Sequence, residues 1–323
     1  MTSVLGDSSM SKELQMLEDR ALSPHQEAVL FEALKKIYPA GFEEQPQAEE
    51  TFEVEIHTRS YWFRKRYIPW IENFTSLKNQ KILEIGAGTG TSAIPLAEQG
   101  AYVFSIDINA AGLEVARIRS RLHGLDHLTD FNLGNAEEVG ETFKGKQFDM
   151  VVYFASLEHM TYSERIQTLQ AAWLLLSPGG HLVVVDSPNR LWYFDEHTSF
   201  TNFFHWLPND VAIDYAKHTG REGFNKEFDV AVSDADVRLA RWGRGISIHD
   251  FQIAIGPVES CPVEQLWTSG EWDYRRGTQP EWATWQATTL AGRYHALMQE
   301  ICPRLPSAWL ESEIAIALRK PMR

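Results

Sequence analysis

Lys81-Ile82-Leu83-Glu84-Ile85-Gly86-Ala87-Gly88-Thr89-Gly90-Thr91 decides the fold: a short apolar run ends on an acid and is followed by glycine at alternate positions. Glycine accepts positive φ at little steric cost and carries no side chain to hold a ligand off the backbone. The stretch therefore reads as a strand, a tight turn and a helix start, with the turn serving as a binding surface for a nucleoside-containing ligand. Its spacing is G-x-G-x-G, with Glu84 two residues ahead of the first glycine. The dinucleotide fingerprint G-x-G-x-x-G requires a glycine at position 91, where this chain has Thr91, so the spacing opposes an NAD-dependent oxidoreductase.

Working outward, Ala101 to Asp107 is a second apolar run with an acid at its C-terminal end. Asp107 lies 21 residues after Gly86, close to the separation at which a carboxylate accepts both hydroxyls of a ribose. Asn109 is a good N-cap for a helix from Ala110 to His123, which leaves Asp107 for the ribose. Phe148 to Phe154 reads as a central strand, followed by Ala155-Ser156-Leu157-Glu158-His159-Met160. Ser177-Pro178-Gly179-Gly180 is a turn before the strand His181 to Asp186, and Leu133-Gly134-Asn135-Ala136-Glu137-Glu138 lies between the second and fourth strands.

Taken in order over residues 81 to 186, these segments resemble the class I S-adenosylmethionine (SAM) methyltransferases. The similarity is to the small-molecule and glycan type, such as the ubiquinone-biosynthesis and natural-product sugar enzymes. The resemblance implies SAM as cofactor, bound by Glu84, Gly86, Ala87, Gly88 and Gly90 of the glycine loop and by Asp107 and Ile108 after the second strand. It also implies that Asn135, standing where the family has Asp, and the backbone amide of Ala136 read the adenine edge; an amide oxygen can still accept from the adenine amino group. Similar sugar methyltransferases place a catalytic His after the fourth strand and an acid at the end of the fifth, here His159 and Asp186.

The fold expected is α/β: a Rossmann-like, doubly wound sheet, mostly parallel with one antiparallel strand. It carries an N-terminal helical cap and a large insertion after the fifth strand. The divisions are 1–75 for the cap, 76–186 for the SAM-binding core, 187–312 for a substrate-binding insertion or lid, and 313–323 for the closing strand. Ser23-Pro24-His25-Gln26 is a capping box that starts a helix running to about Tyr38, and Thr161-Tyr162-Ser163-Glu164 is another. Ser247 to Gly256 suits a short helix, Pro280 to Ile301 a longer one, and Val258 to Trp267 is the candidate sixth strand. Ligands of such sheets sit beyond the carboxyl ends of the strands, where Glu84, Asp107, Asn135, His159 and Asp186 fall.

Composition narrows the acceptor. The chain has 323 residues, 44% of them hydrophobic, enough for a sizeable core. A formal charge of −14 and a pI near 5.3 oppose a surface that tracks phosphates, so no nucleic-acid partner is expected. Two cysteines, Cys261 and Cys302, give neither a disulfide framework nor a zinc spacing. No run has the roughly 18 apolar residues of a membrane span and no leader is evident, so no membrane partner is expected and the cytoplasm is the default compartment.

The expected chemistry is methyl transfer to a small-molecule or glycan acceptor, most simply at oxygen, with His159 as candidate general base because imidazole titrates near neutral pH. Asp186 and His197 complete the candidate catalytic set. Asp186 to Arg190, Asp195 to Thr198 and His205 to Pro208 form a second cluster suited to substrate contact; its spacing is not diagnostic of a metal, and none is assigned. Tyr61, from the cap, offers an aromatic face to a sulfonium, and Arg59 a partner for the cofactor carboxylate. N- or C-methyl transfer on the same fold and a non-catalytic SAM-binding protein stay open as alternatives.

Overall fold

The structure, a computed structural model, describes residues 22–228, 233–258, 261–265 and 279–322. Seven strands make one sheet: β1 (Lys81–Ile85), β2 (Tyr102–Asp107), β3 (Thr129–Leu133), β4 (Phe148–Phe154), β5 (Leu176–Pro188), β6 (Val263–Gln265) and β7 (Glu313–Arg319), in the order β3-β2-β1-β4-β5-β7-β6. β1 pairs parallel with β4, β2 with β3, and β4 with β5. β7 runs antiparallel to both β5 and β6, so β6 points the same way as β5 and β7 is reversed against them. This is the expected Rossmann-like sheet, and it places the closing strand between β5 and β6.

The strands form where the sequence is continuously apolar, because both faces of a central parallel strand are covered by helices. Ile82 to Ile85, Met150 to Tyr153 and Ile314 to Leu318 are buried throughout. β5 begins earlier than expected. Leu176 already pairs with Phe148 and His181 pairs with Met150, so the Ser177-Pro178-Gly179-Gly180 turn is looped out of a strand that starts directly after helix Tyr162–Leu175.

The chain falls into two compact units, Met1–Gln80 with Ala87–Leu133 and Lys81–Gly86 with Gly134–Arg323. In the first, helix Pro24–Leu34 carries the expected capping box of Ser23 and Gln26. It buries Leu30, Ala33 and Leu34 with Ala48, Phe52 and Val115 in one apolar cluster. A helical run follows in which α segments Ala48–Glu53, Arg59–Trp62 and Ile68–Glu72 are joined by π turns at Val54–Thr58 and Phe63–Tyr67. π turns are uncommon and concentrate at functional positions.

In the second unit, the Thr161–Glu164 box starts helix Tyr162–Leu175, and a Ser247–Asp250 box starts helix Ile248–Ile255, which stops at Gly256. Between β5 and β7 lie helices Asn209–Ala216, Phe224–Glu227 and Ala235–Gly243, which share a cluster of Phe204, Ala212, Ala216, Phe224, Phe228 and Leu239. The sixth strand falls inside the expected span but is only Val263–Gln265; Trp267 and Trp272 lie outside the described residues.

Candidate functional site

The glycine loop is set by three different demands. A Cβ on Gly86, at φ +89°, would lie 2.5 Å from Cβ of Ser156, whose hydroxyl donates to the Ile85 carbonyl at 2.9 Å; this glycine seats the loop after β4. Gly90 is buried against Ala116, 3.0 Å from where its Cβ would be, so it packs the loop on helix Ala110–Leu122. At Gly88, φ +51°, a Cβ would project into open space, with nothing within 4 Å. Gly88 is thus the position of the three where the backbone is bare for a ligand to approach, as the cofactor reading requires. Ala87 is buried beside it, its N–H reaching the Ile106 carbonyl at 3.4 Å. Glu84 is fully buried at the end of β1.

Asp107 is not left free, in contrast to the expectation from the Asn109 cap. Asn109 does cap its helix, accepting from Gly112 N–H at 3.0 Å, but Asp107 Oδ1 accepts from Asn109 N–H at 2.7 Å and Oδ2 from Gly88 N–H at 2.8 Å. The carboxylate therefore first fixes the glycine loop. Each oxygen keeps a second lone pair with which to accept a hydroxyl, so the residue still fits a ribose. Ile108 is exposed.

Sequence reasoning missed what holds this loop. Buried Arg119 donates to the carbonyls of Thr89 at 2.9 Å and Glu55 at 2.8 Å, and burial lowers its guanidinium to about 10 despite the opposing pull of Glu55. Thr89 Oγ1 donates to Glu55 Oε2 at 2.7 Å and Ser60 Oγ to the Thr91 carbonyl at 3.0 Å. The first π turn of the N-terminal run supplies Glu55, and Glu55 Oε1 also takes Arg59, 3.0 Å away, which gives Arg59 an internal carboxylate partner. Tyr61 is half-buried with its ring edge-on to Trp62 at 5.2 Å. Asn135 caps the turn Ala136–Glu138, its side-chain oxygen accepting from Glu137 N–H at 3.2 Å, so that oxygen is already engaged in the turn.

His159 ends the short turn Leu157–His159 after β4. Its Nδ1 lies 2.9 Å from the Arg241 carbonyl, and a carbonyl only accepts, so Nδ1 carries the hydrogen and Nε2 holds the lone pair of the neutral ring. Arg241 returns a hydrogen bond to the His159 carbonyl at 2.6 Å while its guanidinium grips Glu164 at 2.5 and 2.7 Å. Buried Arg165 donates to the carbonyls of Leu157 and Gly245 and pairs with Asp250 at 3.4 Å, tying the His159 turn to the Gly245 segment.

Two groups flank the free nitrogen of His159. Glu158 Oε1 is 3.7 Å from Nε2, fully buried and without a hydrogen-bond partner among the described residues, while Oε2 accepts from Ser187 at 2.7 Å. Burial pushes the Glu158 carboxyl up, against the pull of His159, Ser187 and Arg165. The His197 ring is centred 5.2 Å from that of His159. Burial, then His159, lowers the His197 imidazole to about 4 with Asp195 opposing, so it is neutral at pH 7. One ligand-type atom each from Glu158, His159 and His197 lies within 4.8 Å of the others, a donor set that could hold a divalent cation.

His197 also joins the second cluster. Asp186, at φ +56°, lines a cavity of about 160 Å³ with Glu196, His197 and His205. The structure thus groups Asp186 with His197, and the carboxylate next to His159 is Glu158. Buried Asp195 organises the segment: Oδ1 accepts from His197 N–H at 3.0 Å and Thr198 N–H at 2.8 Å and is 3.1 Å from His205 Nε2, while Oδ2 accepts from Ser199 N–H and Oγ, both at 2.7 Å. Burial alone would raise the Asp195 carboxyl, but His205 and these donors hold it well below the usual carboxylate range. Gly243, at φ +104°, is a further residue that sequence reasoning missed; a Cβ there would fall 2.5 Å from His197 Cε1 and 3.4 Å from His159 Cε1.

The bare backbone at Gly88 and the β2 acid bound to it leave space and hydrogen-bond acceptors for a ligand. Comparison with known proteins points to the class: residues 76–233 match the family described as "Methyltransferase domain". Curated relatives include the ubiquinone biosynthesis O-methyltransferase of Pseudomonas aeruginosa, 33% identical over 38% of this chain and 50% of that protein. Another is that of Nitrosococcus oceani, 34% identical over 35% of this chain and 46% of that protein. The chain spans about half the length of the curated relatives it matches. Among solved structures, a SAM-dependent methyltransferase from Methanosarcina mazei is 18% identical over 79% of this chain and 98% of its own, with a TM-score of 0.44. Among the described residues, no helix is long and apolar enough to cross a membrane.

Proposed function

We propose that the chain is a SAM-dependent methyltransferase that methylates an oxygen of a small-molecule or glycan acceptor, with His159 Nε2 taking the acceptor's proton. The observation that carries this reading is the tautomer of His159: the Arg241 carbonyl, 2.9 Å from Nδ1, leaves Nε2 as the basic atom of a turn held by Arg165 and Arg241. SAM, when bound, supplies a methyl group on a sulfonium whose departing sulfur is neutral. The protein's own work is then to align the acceptor oxygen, exclude water and accept one proton. As the O–C bond forms, the hydroxyl proton passes to Nε2, and Glu158 Oε1, 3.7 Å away, stabilises the resulting imidazolium. We assign the cofactor to Glu84, Gly86, Ala87, Gly88, Gly90, Asp107, Ile108, Asn135, Ala136 and Tyr61 on the motif reading; the open approach to Gly88 and the remaining lone pairs of Asp107 support it.

The Glu158, His159 and His197 donor set supports a second reading, in which these residues hold a divalent cation that would lower the pKa of an acceptor hydroxyl. The test is transfer of label from methyl-labelled SAM to a panel of phenols, catechols and sugars, with and without chelator. Wild type should yield an O-methyl product, and His159→Ala should lower kcat by roughly 10²- to 10⁴-fold with SAM affinity unchanged. Methylation only at nitrogen or carbon, or SAM binding without turnover on any acceptor, overturns the reading. Activity abolished by chelator and restored by a divalent cation selects the second.

A further inference from the structure

The second unit contains a cavity of about 480 Å³ whose lining includes Tyr162, Arg190, Trp206, Asp250, Ile253 and Tyr294. Neither the cofactor nor the proton transfer accounts for it. We propose that this cavity is the acceptor site and that it selects an acceptor with a planar apolar body and an anionic group, carboxylate or phosphate, which the Arg190 guanidinium receives. The inference rests on the methyltransferase reading for the word acceptor, and on the cavity alone for the ligand's chemistry.

Arg190 is the reason for the anion. Its backbone is fixed, with N–H to the Ile246 carbonyl at 2.7 Å, but among the described residues its guanidinium makes no hydrogen bond or ion pair. Burial lowers its pKa, with Asp250 pulling the other way and Arg165 adding to the fall, so the charge is held in partly dry surroundings, the condition in which a bidentate oxyanion gains most. Asp250, the acid in the same wall, is engaged elsewhere: Oδ1 with Arg165 at 3.4 Å and Oδ2 with Ser247 N–H at 2.7 Å. Buried Arg244 stands near enough to act on the Arg190 and Arg165 guanidinium groups, and its donors go to the carbonyls of Phe204 and Leu207.

The planar body follows from the walls. Trp206 and Tyr162 are 49% and 62% exposed, and Ile253 55%, an unusual share of apolar surface to leave in water around one opening. Trp206 is braced at 4.7 Å by Phe203. Tyr294 is fixed by its hydroxyl on the Leu191 carbonyl at 2.8 Å and by Tyr193 at 4.9 Å, so its hydroxyl is occupied and its ring is what it offers a ligand. Rigid aromatic faces beside a guanidinium that makes no hydrogen bond suit a ring or flat chain that ends in an acid. The cavity also shares chain segments with the base: Tyr162 lies three residues after His159, at the start of the next helix, and Trp206 follows His205, the partner of Asp195.

The test is calorimetry without SAM, at fixed ionic strength, using 3-phenylpropionate, phenyl phosphate and neutral 3-phenylpropanamide. Wild type should bind one of the anions roughly 10- to 100-fold more tightly than the amide, and which anion wins separates the carboxylate from the phosphate source. Arg190→Gln should erase that preference, and Trp206→Ala should weaken acid and amide alike; circular dichroism and SAM titration confirm that each variant is folded. Equal binding of anions and amide by wild type, failure of any probe to bind, or an anion preference that survives in Arg190→Gln overturns the proposal. A failure of SAM to bind would instead overturn the methyltransferase reading and leave the anion result standing.

Discussion

At the residue scale, function rests on side chains whose second partner is already decided. Asp107 holds Gly88 N–H and Asn109 N–H, so Asp107→Ala should both loosen the glycine loop and remove the ribose acceptor. SAM affinity should drop by about 1.5 to 3 kcal/mol, the range for a hydrogen bond to a charged group, measured by calorimetry. A loss of only a few tenths would mean that the carboxylate serves the turn alone. Gly243 is the steric counterpart of this argument. Alanine there meets both a φ of +104° and His197 Cε1 at 2.5 Å, so Gly243→Ala should cost about 1 to 3 kcal/mol of stability and displace His197 from His159. Urea midpoint and kcat are the readouts, and a variant unchanged in both would show that the histidines tolerate displacement.

At the scale of elements, helices with a cap and a period were legible, and segments organised by a buried charge were not. The boxes at Ser23 and Thr161 set their helices because two orphan backbone donors are met locally, information carried within four residues. The short helix Ala235–Gly243 has no side-chain cap, and it is packed through Leu239 against Phe204 and Ala212, contacts far away in sequence. Asp195 likewise reads in the sequence only as part of a cluster suited to substrate contact, yet it gathers the N–H groups of His197, Thr198 and Ser199 and the ring of His205. Asp195→Ala leaves those donors buried without an acceptor, and should lower stability by about 3 to 5 kcal/mol by denaturant unfolding, the cost of removing one partner of a buried pair. A loss under about 1 kcal/mol would show the segment is held by its apolar contacts instead.

At the scale of the whole molecule, the mostly parallel sheet was legible because apolar runs alternate with helix signals and a closing strand follows the long insertion. The candidate site was legible only in part. Gly88, Asp107 and His159 lie in motifs, whereas Arg119, Arg165, Arg190 and Gly243 act through long-range contacts with carbonyls, cavities and rings. The same burial that hides these residues from the sequence sets the response of the fold to acid. His123 is lowered to about 4 by burial and then Arg64, with Glu98 opposing, and His197 is lowered to about 4 by burial and then His159. The unfolded imidazoles take up protons near pH 6.5, and the native ones refuse them until about 4, so between these values the unfolded state binds more protons and stability falls as pH falls. Each histidine should contribute up to about 3 kcal/mol of that loss, complete once the pH is below the native values. The urea midpoint should therefore decline from pH 7 to pH 4 in wild type, and His123→Gln and His197→Gln should each flatten the decline. A wild-type midpoint constant across this interval, or a slope unaltered in both variants, would show that these imidazoles are protonated in the native protein as readily as in the unfolded chain.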